Sequence, residues 1–122
     1  MITVFDIGAR YGIHETWSNL FKGNQIKYFA FEIDTEESNR LKNKYLHFPN
    51  YKIFQMGFSD KSEEIVLNIL AHKGQSYFLE PNLDSKWFSN QRKDESKVMA
   101  QLNYKLSILI EFAYEQNLVP DF

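Results

Sequence analysis

The chain has 122 residues, of which 43% are hydrophobic and 25% are charged, as expected for one globular domain of ordinary size. Its net charge of −2, with both signs interspersed, argues against a nucleic-acid partner, and no apolar run is long enough to span a bilayer. The absence of cysteine excludes disulfides and thiolate metal ligands. Because the first segment is already a predicted strand instead of a signal peptide, we expect a cytoplasmic protein with no membrane partner.

Predicted strands and helices alternate in the first half of the chain. Apolar periodicity, capping residues and turn residues predict, in chain order, a strand at Ile2–Asp6, a helix at Glu15–Phe21, a strand at Ile26–Ile33, a helix from Asp34 to Leu46 and a strand at Tyr51–Met56. Consecutive β-α-β units of this kind form right-handed crossovers between parallel strands. We therefore expect the α/β fold class, with a Rossmann-like, mainly parallel sheet.

The pattern changes after the third predicted strand. Ile65–Leu70 is predicted to be a strand, but too few residues precede it for a crossover helix, so it is expected to pair antiparallel at an edge. The polar stretch Ala71–Lys97 is predicted to be a long loop, and Leu106–Asn117 an amphipathic helix. The apolar stripe of that helix is predicted to comprise Leu106, Leu109, Ile110, Ala113 and Tyr114. No repeat or linker divides the chain, which is expected to form a single domain.

The segment VFDIGARYG places an acid and two glycines at the end of the first predicted strand, namely Asp6, Gly8 and Gly12. Ligands of parallel α/β sheets bind at the carboxyl ends of the strands, where a glycine lets the ligand approach the backbone. Glu32 ends the second predicted strand and is placed to accept hydrogen bonds from a ribose diol. These residues predict a site for a nucleoside-containing cofactor. An ordinary strand-to-helix turn and a solvated strand-end acid are the alternatives.

Arg10 bears on which nucleoside cofactor this turn favours. It stands where the dinucleotide fingerprint G-x-G-x-x-G has its second glycine, which disfavours the close approach of a pyrophosphate. The observed spacing, D-x-G-x-x-x-G, suits S-adenosylmethionine instead, because an acid near the methionine amine is useful there. The Arg10 side chain either pairs with a carboxylate of the cofactor or acceptor or points into solvent, and we expect the second.

Phe58 and Ser59 follow the third predicted strand. Either a ring or a backbone amide lies there along an adenine, or the residues form an ordinary turn into the next strand; both remain open. No metal site is predicted, because metal-ligand spacing is absent from the three histidines, His14, His47 and His72.

Four segments in order, VFDIGARYGIHETW, FEID, GFSDKSEE and GQSYFLEPN, resemble the FkbM family of S-adenosylmethionine-dependent methyltransferases. The resemblance extends to the closing segment, LSILIEFAYEQNLVPDF. It implies a Rossmann-like fold, S-adenosylmethionine as cofactor, and methylation of a hydroxyl group on a sugar or another small-molecule or glycan acceptor. The residues that this reading assigns to cofactor binding are Asp6, Gly8, Ala9, Arg10, Gly12, Glu32, Ile33, Phe58 and Ser59.

The chain departs from the family pattern in two ways. Arg10 occupies a position that usually holds Asn or Gly, which predicts an altered cofactor affinity. The chain also stops at Phe122, where the next central strand of the family begins. We therefore expect the cofactor-binding half of a methyltransferase, a truncated domain without the acceptor-binding half, and we assign no catalytic residue.

Two further expectations follow from that reading. The missing strand would pair with Ile2–Asp6, so the exposed edge predicts self-association, either through this edge or through the Leu106–Asn117 helix. The alternative is that this helix folds back over the edge within one chain. Whether the chain is an enzyme remains open, because a non-catalytic remnant or interaction module keeps the same fold without turnover. An NAD-binding oxidoreductase is a third possibility, which Arg10 disfavours.

Overall fold

The structure is a computed structural model that describes residues 1–72, 78, 84, 94 and 96–122. Its elements in chain order are β1 (Ile2–Ile7), α1 (Glu15–Lys22), β2 (Ile26–Phe31), α2 (Thr35–Lys44), β3 (Tyr51–Phe54), β4 (Gly57–Phe58), β5 (Glu63–Leu70), β6 (Val98–Ser107) and α3 (Leu109–Glu115). They fall into two compact units, residues 1–62 with 106–122 and residues 63–105. Among the described residues, no helix is both long and apolar enough to cross a membrane.

The first unit contains a parallel sheet in the order β1–β2–β3. Ile2 lies opposite Ile26, and Tyr28 lies opposite Tyr51, so all three strands run in the same direction. Helices α1 and α2 provide the two crossovers, and Asp34 caps α2 through its side chain, as predicted. The predicted α/β class and the parallel pairing of the first three strands are therefore confirmed.

Helices α1 and α2 cover one face of this sheet. Residues that alternate along each strand point to opposite faces, and the first face carries Val4, Tyr28 and Tyr51. Phe21 of α1 and Tyr45, which follows α2, pack against them. The rings of Tyr45 and Tyr51 are stacked with their centroids 4.3 Å apart. Aromatic side chains therefore fill much of this layer, in agreement with their abundance in the sequence.

The second face carries phenylalanines and is covered by α3. Phe112 of this helix is buried, with its ring centroid 5.3 Å from that of Phe31 and 5.0 Å from that of Phe54. Phe58 of β4 packs against the same ring of Phe31 at 5.0 Å. Edge-to-face pairs of this kind add about 0.5–1.5 kcal/mol each to the gain from apolar burial. One helix of seven residues is therefore held to the sheet mainly by a single side chain.

The predicted bounds of the last helix are wrong at the start. Leu106 and Ser107 lie at the end of β6 and pair parallel with Gly57 and Phe58 of β4, which holds them extended. The helix consequently begins at Leu109.

The predicted apolar stripe of this helix is also wrong in part. Ile110 and Tyr114 are 77% and 88% exposed, whereas Phe112, outside the predicted stripe, is 7% exposed and faces the sheet. Ile110 and Tyr114 lie two positions before and after Phe112, which places them on the opposite side of an α-helix from it. Two large apolar side chains therefore lie in solvent.

The second unit contains β5 and most of β6. Ala71 donates its N–H to the carbonyl of Lys97 at 2.9 Å, and the Gln101 amide donates to the Asn68 side-chain oxygen at 2.8 Å. Later residues of β6 therefore meet earlier residues of β5, so the pairing is antiparallel, as predicted. β5 is, however, an edge strand of a separate sheet with the order β4–β6–β5, and the expectation that it joins the parallel sheet is wrong. Its partner, β6, is a strand that the sequence analysis missed. Most of the predicted loop Ala71–Lys97, including the segment GQSYFLEPN apart from Phe78, lies outside the described residues.

The last residues of the chain lie along the outer edge of β1. Phe5 donates its N–H to the carbonyl of Phe122 at 2.7 Å, and Asp121 donates its N–H to the carbonyl of Thr3 at 2.8 Å. The N–H of Thr3 in turn reaches the Asp121 carboxylate at 2.7 Å. The final two residues thus run beside β1, at the position predicted for the strand that would follow PDF. The expectation that this edge is unpaired is therefore wrong in part, because Asp121 and Phe122 pair with it within one chain. Self-association through this edge stays a prediction.

Candidate functional site

The turn after β1 is tied to the end of β2. Gly8 and Ala9 both donate their N–H groups to the carbonyl of Phe31, at 2.8 and 3.0 Å. Gly8 has a φ of 79°, a conformation that glycine adopts without steric cost. The backbone of the turn is therefore fixed at the carboxyl end of the sheet, beside the residues that follow β2.

The two glycines of this turn have different surroundings. A Cβ placed on Gly8 would meet no atom within 4 Å, so the space over this residue is open. A Cβ placed on Gly12, whose φ is 98°, would lie 2.5 Å from the hydroxyl oxygen of Tyr45. Gly12 is therefore required by the packing of the turn on Tyr45, and only Gly8 leaves room for a ligand. The sequence analysis had assigned both to the cofactor.

Between the glycines, Tyr11 adopts a left-handed conformation with a φ of 76°. Its N–H donates to the Glu37 carboxylate at 3.0 Å. That carboxylate also accepts two hydrogen bonds from the Arg40 guanidinium, at 2.8 and 2.7 Å, and these hold the pKa of Glu37 at about 2. An ionised side chain of α2 therefore stabilises an unfavourable backbone conformation in the turn. Sequence reasoning missed Glu37; its only sequence signal is the acid–arginine spacing of three.

The acid that follows β2 is buried, not solvated. Glu32 is 6% exposed, and its Oε1 accepts the N–H of Asp34 at 2.9 Å. Burial raises the pKa of Glu32. No hydrogen bond joins its Oε2 to another residue in the described part of the chain. A buried carboxylate with one committed oxygen therefore lies next to the carbonyl of Phe31 that holds the glycine turn.

Arg10 does not point into solvent, and the expectation that it would is wrong. Its side chain is 16% exposed, and its guanidinium lies 3.4 Å from the Asp34 carboxylate. Asp34 uses its other oxygen to accept the N–H of Glu37 at 3.1 Å, the capping bond of α2. The positive charge of Arg10 also lowers the pKa of Glu32, against the larger effect of burial. The turn thus supplies a cation that offsets two buried acids.

Asp6 lies on the side of the sheet that α1 covers. Its Oδ2 accepts a hydrogen bond from the Tyr28 hydroxyl at 2.5 Å. Burial raises the pKa of Tyr28, and this bond raises it further. The same hydroxyl accepts the N–H of His14 at 3.4 Å. Asp6 therefore has a structural partner in β2, Tyr28, whose hydroxyl also binds the start of α1, and its predicted role toward a methionine amine stays a prediction.

Three other predicted site residues follow β2 and β3, and a fourth lies in the turn. Phe58 packs in the phenylalanine layer, and Ser59 donates its N–H to the carbonyl of Ser107 at 3.0 Å, as part of the β4–β6 pairing. The Ile33 side chain lies so close to Gly57 that a Cβ there would come within 2.7 Å of it. Ala9 is 1% exposed and belongs to the core. These contacts are structural, and none of them tests the predicted contacts with a cofactor.

The turn that carries Gly8 also carries Arg10, and its hydrogen bonds to Phe31 join it to the residue that precedes Glu32. Such a site suits a ligand that offers hydroxyl donors and carries a carboxylate of its own. No group of three or more acids and histidines in the described residues could hold a metal ion. Comparison of the chain with protein-family models, curated proteins and solved structures finds no match. The functional interpretation consequently depends on the site itself and on the four segments quoted above.

Proposed function

We propose that this chain binds S-adenosylmethionine and is part of an FkbM-type methyltransferase that acts on a hydroxyl group of a sugar or another small acceptor. The observation that supports the proposal most is the open space over Gly8, at the carboxyl end of β1. Glycine in this conformation lets the backbone of the turn meet the ligand directly. Gly12, by contrast, does not support the proposal, because its packing on Tyr45 accounts for it.

Glu32 would bind the ribose of the cofactor. Its Oε1 is held by the N–H of Asp34, which orients the carboxylate, and its Oε2 remains as an acceptor for a ribose hydroxyl. Burial removes water from around the ionised carboxylate, which is unfavourable. Hydrogen bonds from a bound diol would offset part of this loss.

Arg10 would bind the carboxylate of the methionine part. Its pair with Asp34 is long, at 3.4 Å, and a guanidinium has five N–H donors in a planar array. It can therefore bind a ligand carboxylate while it still faces Asp34.

When bound, S-adenosylmethionine would supply an electrophilic methyl group for transfer to the acceptor oxygen, whose proton would pass to a base. Alignment of the sulfonium with the hydroxyl would supply much of the rate. The proposal assigns neither the base nor the acceptor contacts to this chain.

Calorimetric titration of the full chain with S-adenosylmethionine tests the proposal. Gly8→Ala adds a methyl group over the turn without meeting any protein atom, so it should abolish binding while the domain stays folded. Gly23→Ala is the matched control, because Gly23 follows α1 and a Cβ there comes no closer than 3.4 Å to another atom. Unchanged affinity in Gly8→Ala would place the cofactor elsewhere.

Removal of the Glu32 charge is the second test. Glu32→Gln keeps the size of the side chain and should weaken binding by about 1–3 kcal/mol, because charge-assisted hydrogen bonds to the ribose are lost. Glu64→Gln, at an exposed position in β5, removes the same charge as a control. Titration with NAD separates the oxidoreductase: tighter binding of NAD than of S-adenosylmethionine contradicts the proposal.

A methyl-transfer assay addresses the remaining alternative. If the chain binds S-adenosylmethionine and transfers no methyl group to a panel of sugars and glycans, a cofactor-binding module without turnover becomes the better description. If it binds neither cofactor, the interaction module without a nucleoside site is favoured.

A further inference from the structure

A cavity of about 680 Å³ lies at the amino ends of the parallel strands, away from the glycine turn. Its lining includes residues that immediately precede the strands, such as Asn24 before β2 and Asn50 before β3, together with the segment that follows α3. The volume is in the range of small-molecule sites, which extends over roughly 300–1,000 Å³.

The charged side chains that line this cavity are all positive. They are Lys27 of β2 and Lys52 of β3, and no acidic residue in the described part of the chain lines the cavity. Neither lysine forms an ion pair with another described residue. The nearby carboxylate of Asp121 accepts the N–H of Thr3 and does not line the cavity. The chain as a whole has a net charge of −2, so the positive charge of this cavity is a local feature and does not reflect the overall composition.

The strand register places an aromatic residue next to each of the two lysines. Lys27 and Phe29 are two positions apart in β2, so their side chains lie on the same face of the sheet. Phe29 lies opposite Lys52 of β3. Phe29 forms part of the cavity lining, together with Leu118 and Val119. Val119 is 82% exposed, so an apolar wall of the cavity is open to solvent. Contact with an apolar ligand would remove this surface from water.

We propose that this cavity binds a small molecule with a carboxylate on an apolar body. The two ammonium groups would hold the carboxylate, and Phe29, Leu118 and Val119 would contact the apolar part. Charge complementarity selects this class, because a neutral ligand would leave both lysines unpaired and a cationic one would be repelled. The site is independent of the one at Gly8, which lies at the other ends of the strands.

Decanoate is the probe that tests the proposal, with decan-1-ol and decyltrimethylammonium as neutral and cationic controls of the same chain length. Titration of the ¹⁵N-labelled full chain should shift the amide signals of Lys27, Phe29 and Leu118 with decanoate. The alcohol should bind about tenfold more weakly, and the cation should not bind. The proposal is overturned if decanoate leaves these amides unshifted at millimolar concentration, or if the alcohol binds as tightly.

Two variants and one control locate the charge requirement. Lys27→Gln with Lys52→Gln should weaken decanoate binding about tenfold, whereas Lys22→Gln with Lys42→Gln, which removes the same charge elsewhere, should not. Val119→Glu places an acid in the exposed wall and should weaken decanoate binding, because its carboxylate repels that of the ligand and can pair with a lysine. Equal binding by all of these variants would contradict the proposal.

Discussion

The two ends of the parallel sheet differ in how their charged groups are used. At the carboxyl end, four charged residues bind one another or the backbone of the glycine turn. They are Arg10, Asp34, Glu37 and Arg40. At the amino end, Lys27 and Lys52 line a cavity without an acidic partner among the described residues. The charged groups at the carboxyl end hold the backbone of the turn in place. The two lysines at the amino end remain available to bind a ligand. One sheet of three strands can therefore support two sites with different ligand chemistry.

Substitution of Gly12, at the carboxyl end, should lower the free energy of unfolding more than the other substitutions predicted below. Gly12→Ala combines a left-handed φ with a contact of 2.5 Å to the Tyr45 hydroxyl, and it should lower the free energy of unfolding by about 2–4 kcal/mol. Gly8→Ala, with the same kind of φ but no contact, should cost only about 1–2 kcal/mol. Urea denaturation measures both. A Tyr45→Phe background should rescue part of the Gly12→Ala loss.

The Glu37 carboxylate tests whether charges at this end serve stability. Glu37→Gln should lower the free energy of unfolding by about 1–2 kcal/mol at neutral pH, after allowance for the half-exposed Arg40. Because the folded pKa of about 2 lies below the ordinary value, the loss should be fully present above pH 4.5 and should shrink as the pH falls toward 2. Lys27→Gln should leave stability unchanged at every pH. Similar losses in both variants would remove the contrast between the two ends.

Glu32 should show the opposite dependence on pH. Its pKa is raised by burial, so the protonated form is favoured in the folded chain, and the associated stability is present in acid and lost as the pH rises through the folded pKa. Glu32→Gln should therefore make the ligand-free chain modestly more stable at neutral pH and equal to the wild type in acid. A variant that is less stable than the wild type at neutral pH would show that the ionised carboxylate has a structural role.

The parts of the fold that the sequence predicts are those set by local patterns. The first three strands and the two crossover helices follow from apolar runs and from caps such as Asp34. β6 was missed because most of Val98–Ser107 is exposed, so its side chains carry no alternation to recognise. The sequence predicts the turn and the acid of the site, but it does not predict which residues pair there. Arg10 pairs with Asp34 and Tyr11 with Glu37, and the members of each pair are more than twenty positions apart. Such pairs depend on how β1 and α2 meet in the folded sheet.

The variants that test self-association should change the free energy of unfolding least. The outer edge of β1 is partly paired by Asp121 and Phe122, so we expect the contact surface on α3, where Ile110 is 77% and Tyr114 88% exposed. Exposed apolar side chains on one helix face favour contact with a second copy. Light scattering over a range of concentrations should show a mass above the 14.5 kDa of one chain. Ile110→Lys with Tyr114→Lys should restore the monomer with the free energy of unfolding unchanged within about 0.5 kcal/mol, because both side chains lie in solvent. A monomer at all concentrations excludes self-association, and an oligomer that survives this double variant assigns the contact to the edge of β1 instead.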